Sequence, residues 1–305
     1  MNLVAFGMSM TTEPDSLASL SAARCIGIVG VGLMGASFAL ALRAAGYDGR
    51  LVGVSRSAAT RDKAAQRGIV DFATTDLAAG VRDADVVVLC TPVRLIVEQI
   101  AELGALCKDG AVITDMGSTK GEIIRAMDAL PGRLRAVGSH PMCGKETAGI
   151  DVADAELYRG APWILTRSAR TDDAAYALVR SLALLVGARP RDVDAAAHDV
   201  LLAHASHLPW AVSTAMVATT DHFAVDHPDV WQVTAGGYRD TSRVAASDPT
   251  MWTDIALTNR TALLAAIRDF QFQLDQLAAL VERSDEAGLR SFLEGAMRAR
   301  KAKYG

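Results

Sequence analysis

A glycine-rich run, Gly30-Val31-Gly32-Leu33-Met34-Gly35, follows directly on the strand-like stretch Arg24–Val29 and opens an Ala/Leu-rich segment that reaches about Ala45. Few features narrow the possible folds as much as glycines at this spacing in this setting. The first permits a tight turn out of a strand, the second lets the backbone approach a pyrophosphate, and the third lets helix and strand pack closely. The helix N-terminus then faces the phosphates. Gly30, Gly32, Leu33, Met34 and Gly35 are therefore expected to hold a dinucleotide.

The pattern that follows agrees with an α/β Rossmann-like domain built on a mostly parallel sheet. Leu51–Val54, Asp85–Cys90, Ala111–Thr114 and Leu134–Val137 read as strands, with helices at Ala59–Arg67 and Lys120–Leu130. Continuous apolar strands separated by helices indicate a parallel sheet covered on both faces. A strand at Trp163–Thr166 and a helix at Asp172–Val186 extend this unit, so the dinucleotide-binding domain is expected over 24–190. Residues 1–23 read as a disordered extension, in which Met8 or Met10 could equally be the true start.

Beyond Pro190 the strand pattern stops, and 191–305 is expected to be all-helical, serving substrate binding and dimerisation. A long helix over 194–220 contains Pro209, which predicts a kink or break. A second long helix is expected over 252–283. Along it Leu263, Ile267, Phe270, Leu274, Leu277 and Val281 form a heptad-like seam, suited to a second subunit or to a neighbouring helix of the same chain. Ser284–Glu286 reads as the cap of a last short helix, and Arg298, Arg300, Lys301 and Lys303 as its solvated end.

Bulk properties exclude several classes. The 305 residues carry 22% charged side chains and a formal net charge of −4, which leaves no electrostatic footprint for nucleic acid. No signal peptide and no 18-residue apolar segment is read from the sequence, so neither export nor a membrane span is expected. Cys25, Cys90, Cys107 and Cys143 form no C-x-x-C pair and are read as reduced thiols of a cytoplasmic protein, with Cys143 a minor candidate for reactivity.

The choice of dinucleotide rests on the end of the second strand. Ser55-Arg56-Ser57 stands where NAD enzymes usually carry an acid, and Arg56 suits a 2′-phosphate. NADP is expected, with NAD the alternative if Arg56 is only a surface residue. Thr91 and Pro92, at the end of another strand, complete the cofactor set.

Candidate chemistry comes from two further segments. Gly138-Ser139-His140-Pro141 follows a strand in a glycine-flanked loop, at the sheet edge where ligands bind, and His140 is a candidate general base. Ser118, in Asp115–Lys120, is placed to donate to a reacting hydroxyl or to His140. Arg239 and Arg243 stand one turn apart if their segment is helical, which suits a dicarboxylate substrate; an ion pair is the other role for Arg239. Trp252 is a candidate wall for a flat ring. His204 and His207 lack a carboxylate partner at metal-ligand spacing, and no metal is expected.

These segments together resemble the prephenate/arogenate dehydrogenase family of tyrosine biosynthesis. The likeness runs from about residue 24 to the end and rests on Gly30–Gly35, Asp115–Lys120, Gly138–Gly149, His198-Asp199, Ser206-His207-Leu208-Pro209, Gly237–Arg243 and Ser247-Asp248-Pro249 with Trp252. The resemblance implies oxidative decarboxylation of a cyclohexadienyl ring, a homodimer, His140 as base with Ser118 assisting, Arg243 on a substrate carboxylate, and His207 and Trp252 near the pocket. Many prephenate-preferring members carry a second histidine where this chain has Trp210. That departure, with Arg56, looks most like the branch that uses NADP and arogenate. Asp199 is then a possible acceptor for the arogenate ammonium, or a helix cap. Neither an attached mutase before residue 24 nor a regulatory domain after 283 is expected. The alternatives are a prephenate or dual-specificity enzyme, a β-hydroxyacid or imine-reducing dehydrogenase, and a silent NADP-binding sensor.

Overall fold

A computed structural model of the chain describes residues 23–145 and 147–305. The expected N-terminal extension lies outside the described residues, apart from Ala23. The elements form two compact units. One takes the described residues up to Leu201 together with Ala246–Asn259; the other comprises Leu202–Ala245 and Arg260–Gly305.

The first unit is built on an eight-stranded sheet in the order β3-β2-β1-β4-β5-β6-β7-β8. Its strands are β1 Cys25–Val29, β2 Arg50–Val54, β3 Phe72–Thr74, β4 Val86–Leu89, β5 Val112–Asp115, β6 Arg135–Pro141, β7 Pro162–Arg167 and β8 Arg189–Asp192. β1 to β6 run parallel to their neighbours. The helices between them are α1 Leu33–Ala44, α2 Ala58–Gln66, α3 Leu77–Val81, α4 Val93–Leu106 and α5 Gly121–Asp128, with α6 Asp173–Leu185 joining β7 to β8. Alternation along β4 explains why both faces need cover. Val86 and Val88 enter one apolar cluster with Phe38 and Leu42 of α1, and Val87 and Leu89 enter another with Ile96, Ile100 and Leu103 of α4. The sheet is the mostly parallel one that continuous apolar strands imply.

β7 is the exception, pairing antiparallel with β6. A parallel return needs a crossover element, usually a helix across the sheet face. Between Pro141 and Pro162 the described chain holds only the short 3-10 turn Ile150–Val152. β7 therefore comes back alongside β6 in the opposite sense, and α6 then carries the chain across to the parallel β8.

The helices after β8 depart from expectation in four places. Ala195–Ala224 is one helical run, so of the kink or break expected at Pro209 the break does not occur: α7 Ala195–Leu202 passes through a π-helical turn, Ala203–His207, into α8 Leu208–Ala224. Pro209 lies in the first turn of α8, and the wider turn before it absorbs the carbonyl that a proline ring would strike. This run is also long and apolar enough to cross a membrane by length and composition, against the expectation that no such stretch exists. Next, 252–283 is not one helix. After α9 Gly236–Ser242, α10 Pro249–Thr258 ends at Asn259 and α11 Arg260–Glu282 begins beyond it. The Asn259 side chain donates to the carbonyl of Asp199 at 2.7 Å, a tertiary bond that the apolar spacing does not reveal. Last, α12 Glu286–Tyr304 has 19 residues rather than a few, capped by Asp285, which accepts from the Gly288 amide at 2.9 Å.

Candidate active site

The glycine run forms the turn its spacing implies. Gly30 has φ +97°, and a Cβ there would meet the Cys90 backbone at 2.9 Å. At Gly35 a Cβ would meet the Gly30 carbonyl oxygen at 2.2 Å, whereas nothing stands within 4 Å of one at Gly32. That open approach lies at the N-terminus of α1, which has no side-chain cap and no acid in its first turn. Unpaired amides and a positive dipole end suit a pyrophosphate, so these residues fit a dinucleotide. Leu33 and Met34 form the first turn. The fully buried Tyr158 donates to the Met34 carbonyl at 2.6 Å and so fixes the turn from beneath.

Ser55, Arg56 and Ser57 follow β2. Ser57 caps α2, accepting from the Thr60 amide at 3.3 Å, and Ser55 Oγ accepts from the Ser57 amide at the same distance. Arg61 pairs with Asp62 and Lys63 with Asp151, while Arg56 is exposed and makes no ion pair among the described residues. Thr91 donates to Gln99 at 2.6 Å, and Pro92 immediately precedes α4.

The chemistry-bearing groups gather at the ends of β5 and β6. His140 lies inside β6, paired with Ile164 of β7, and not in a loop as expected. The antiparallel partner prolongs the strand past the glycine. Its Nδ1 is 2.9 Å from His198 Nε2, and His198 Nδ1 is 2.8 Å from Asp199 Oδ1. Asp199 Oδ1 also accepts from the Lys120 amide at 2.7 Å and Oδ2 from the Gly121 amide at 2.8 Å, so the carboxylate caps α5. Oδ1 thus takes two protein donors and Oδ2 one. Burial alone would raise the Asp199 carboxyl, but its bonds from His198 and the two amides win and hold it below the usual range. Burial pushes His198 downward, partly offset by Asp199.

Beneath lies an ion pair with no solvent exposure. Lys120 Nζ donates to Asp115 Oδ2 at 2.6 Å, to the Gly117 carbonyl at 2.8 Å and to the Thr119 carbonyl at 3.0 Å, which uses all three of its protons. Asp115 also accepts from the Gly117 and Ser139 amides, at 2.7 and 2.9 Å. Desolvation lowers the Lys120 ammonium, and Asp115 opposes it. The pair ties the end of β5 to β6 and shapes the turn that carries the half-buried Ser118. Asp115, Lys120 and His198 stand within the sequence motifs, yet the sequence alone assigns them no role. The signal was there: an acid ending an apolar strand with a lysine five residues on.

Trp252 is buried in α10, whose Asp254 accepts from the Arg94 amide at 3.3 Å. In the helical unit, Arg239 lies in α9 and Arg243 is its C-cap, where a 3-10 turn to Ala246 begins; both are exposed. His207 is buried in the π turn and Trp210 half-buried in the first turn of α8. His204 approaches Asp269 at 3.9 Å, and no cluster of three or more metal-ligating side chains occurs among the described residues. Burial pushes the Cys143 thiol up to about 11, so it is protonated near neutrality and poorly nucleophilic.

Two family models match adjoining stretches of the chain. Residues 38–191 match the prephenate dehydrogenase nucleotide-binding domain and 194–295 the prephenate dehydrogenase dimerization domain. The chain belongs to the prephenate dehydrogenase family. Members include the cyclohexadienyl dehydrogenase of Zymomonas mobilis, 34% identical over 91% of this chain and 95% of that protein. Among solved structures, prephenate dehydrogenase of Aquifex aeolicus with hydroxyphenyl propionate and NAD+ superposes with TM-score 0.86 and 34% identity, covering 92% of this chain and 98% of that one. Synechocystis arogenate dehydrogenase gives 0.77 at 34% identity, covering 92% and 99%. This prephenate dehydrogenase family member is thus an oxidoreductase with a nucleotide-binding Rossmann-like domain followed by a helical one.

Proposed function

We propose that the chain converts L-arogenate to L-tyrosine by oxidative decarboxylation with NADP. The observation that carries the chemistry is the buried His140–His198–Asp199 chain at the carboxyl ends of β5 and β6. The substrate ring bears a hydroxyl and a hydrogen at C4 and a carboxylate at C1. His140 takes the hydroxyl proton, with Ser118 as hydrogen-bond donor to the same oxygen. Gly30, Gly32, Leu33, Met34 and Gly35 would hold the pyrophosphate of the dinucleotide, whose nicotinamide would supply the acceptor for the C4 hydride. Loss of the C1 carboxylate as CO2 leaves its electron pair in the ring, which becomes aromatic, and His140 returns its proton to the phenolic oxygen. Arg243 and Arg239 pair with the substrate carboxylates, and His207, Trp210 and Trp252 line the ring and side chain.

NADP is favoured by Arg56, an exposed guanidinium without an ion pair among the described residues at the end of β2, and by the absence of an acid at Ser55–Ser57. NAD+ in the Aquifex aeolicus relative is the counterweight. Arogenate is favoured by Trp210 standing where a second histidine would serve a keto acid. Prephenate is the second reading, favoured by the engagement of Asp199 with the Lys120 and Gly121 amides and His198, which makes it a poorer partner for an ammonium. A homodimer through the helical unit belongs to the proposal, supported by the dimerization-domain match and by exposed Leu274 and Val281 on the α11 seam. The four unpaired thiols suit the reducing cytoplasm. Measuring kcat/KM for arogenate and prephenate with each cofactor tests the assignment. A ratio favouring prephenate refutes the substrate, and a ratio favouring NAD refutes the cofactor.

A further inference from the structure

We propose that Asp199 and His198 form a positioning relay that fixes His140 in the tautomer with hydrogen on Nδ1 and the basic lone pair on Nε2. The proposal rests on the reading of His140 as the base and adds which nitrogen acts and what holds it there. Asp199 accepts on both oxygens, from the amides of Lys120 and Gly121, and its Oδ1 also meets His198 Nδ1 at 2.8 Å. A carboxylate so placed only accepts, so His198 Nδ1 carries a hydrogen. Neutral His198 then has its lone pair on Nε2, and that atom lies 2.9 Å from His140 Nδ1. Two lone pairs cannot face each other at this distance, so His140 Nδ1 is the donor. The neutral ring of His140 is left with Nε2 as its proton acceptor.

Burial makes the relay selective. The His198 side chain has no solvent exposure, and Asp199 has 13%. A second proton on His198 Nε2 would place two N–H groups nose to nose and bury a cation, which desolvation opposes. The backbone fixes the outer end. Because Asp199 caps α5, and Asn259 holds the Asp199 carbonyl at 2.7 Å, the carboxylate cannot turn away without uncapping the helix. The substrate O–H bond breaks and an N–H bond forms on His140 Nε2, while the oxygen's electron pair becomes the C=O bond and the C4 hydrogen departs as hydride, for which the dinucleotide would be the acceptor. The positive charge on His140 then lies in line with His198 Nε2 and, through it, with Asp199. Since the proton is later returned to the phenolic oxygen, the relay stabilises a transient imidazolium and need not carry a proton to solvent.

Nitrogen NMR of the full chain with isotope-labelled histidine tests this directly. The His140 signals are assigned against His140→Asn, and those of His198 against His198→Gln. The expected result near neutral pH is hydrogen on Nδ1 of both rings; hydrogen on His140 Nε2 overturns the relay. Kinetics give a second reading. His198→Leu, which removes the acceptor, is expected to lower kcat by ~10²-fold with little change in substrate KM. His198→Gln keeps an acceptor oxygen and is expected to remain within ~10-fold of wild type. Equal losses in the two variants contradict a positioning role. If His198→Leu does not fold, the tautomer measured in the wild-type chain still decides. His140→Asn separates the two claims: if it retains turnover, the base assignment falls, whereas an inactive His140→Asn with the wrong wild-type tautomer removes only the relay.

Discussion

The sheet-bearing unit and the helical unit handle apolar surface in opposite ways. In the first, inner strands such as β4 are dry on both faces, aromatic rings of Phe38, Tyr158 and Trp163 pack at centroid distances of 5.2 to 6.1 Å, and even charge is buried, as Lys120 and Asp115. In the second, the buried apolar side chains are Leu202, Ala203, Leu263 and Ala266 among the described residues, while Phe272, Leu274, Val281, Leu293 and Met297 are exposed. A unit that encloses its own core can position ionisable groups accurately. The seam of the second unit is closed at Leu263 and open at Leu274 and Val281, where the proposed second copy would cover it.

The largest effect is expected in the enclosed unit. His140→Asn should lower turnover by about 10²–10⁴-fold with cofactor affinity unchanged, as followed by fluorescence titration. Turnover near the wild-type level would place the base elsewhere. Lys120→Met leaves the Asp115 carboxylate buried and uncompensated, at an expected loss of about 3–5 kcal/mol in urea unfolding. A loss below about 1 kcal/mol would mean that the pair behaves like one at the surface, and the contrast between the units would weaken.

The open seam is probed by Leu274→Glu. Placing a charge where a leucine would be covered should shift light-scattering mass from dimer towards monomer, by roughly 1.5–3 kcal/mol of lost apolar burial, with NADP binding intact. An unchanged mass at every concentration would exclude this face. Smallest is Arg56→Asp, at the rim of the first unit, where an acid repels a 2′-phosphate and accepts ribose hydroxyls. The NADP to NAD ratio of kcat/KM should fall by about 10-fold or more, the size of one lost charge-assisted bond. An unchanged ratio would put selectivity on other residues.

The same contrast decided what the sequence made legible. Strands such as Val86–Leu89 are buried on both faces and announce themselves as apolar runs. β3 and β8 do not. β3 spans three residues, and Arg189-Pro190-Arg191-Asp192 is polar, with a proline tolerated only because β8 is an edge. The cofactor turn was readable because its glycines act locally. His140 was readable as a residue but not as part of a strand, since its extension depends on pairing with β7. The relay was not readable at all: His140 and His198 are 58 positions apart, and only tertiary packing brings their rings to hydrogen-bond distance. Asp199, whose role in the sequence is ambiguous between ligand and cap, caps a helix other than its own.

The central claim is that hydride removal and loss of a carboxylate occur as one reaction on a cyclohexadienyl ring. Recording the near-ultraviolet absorbance of the reduced nicotinamide and the CO2 released from carboxyl-labelled arogenate and prephenate, in the same samples, tests it most directly. The account predicts equal amounts of the two products from the wild-type chain and loss of both in His140→Asn. Reduced nicotinamide from a simple 3-hydroxy acid without CO2, or cofactor binding with neither product, would contradict it.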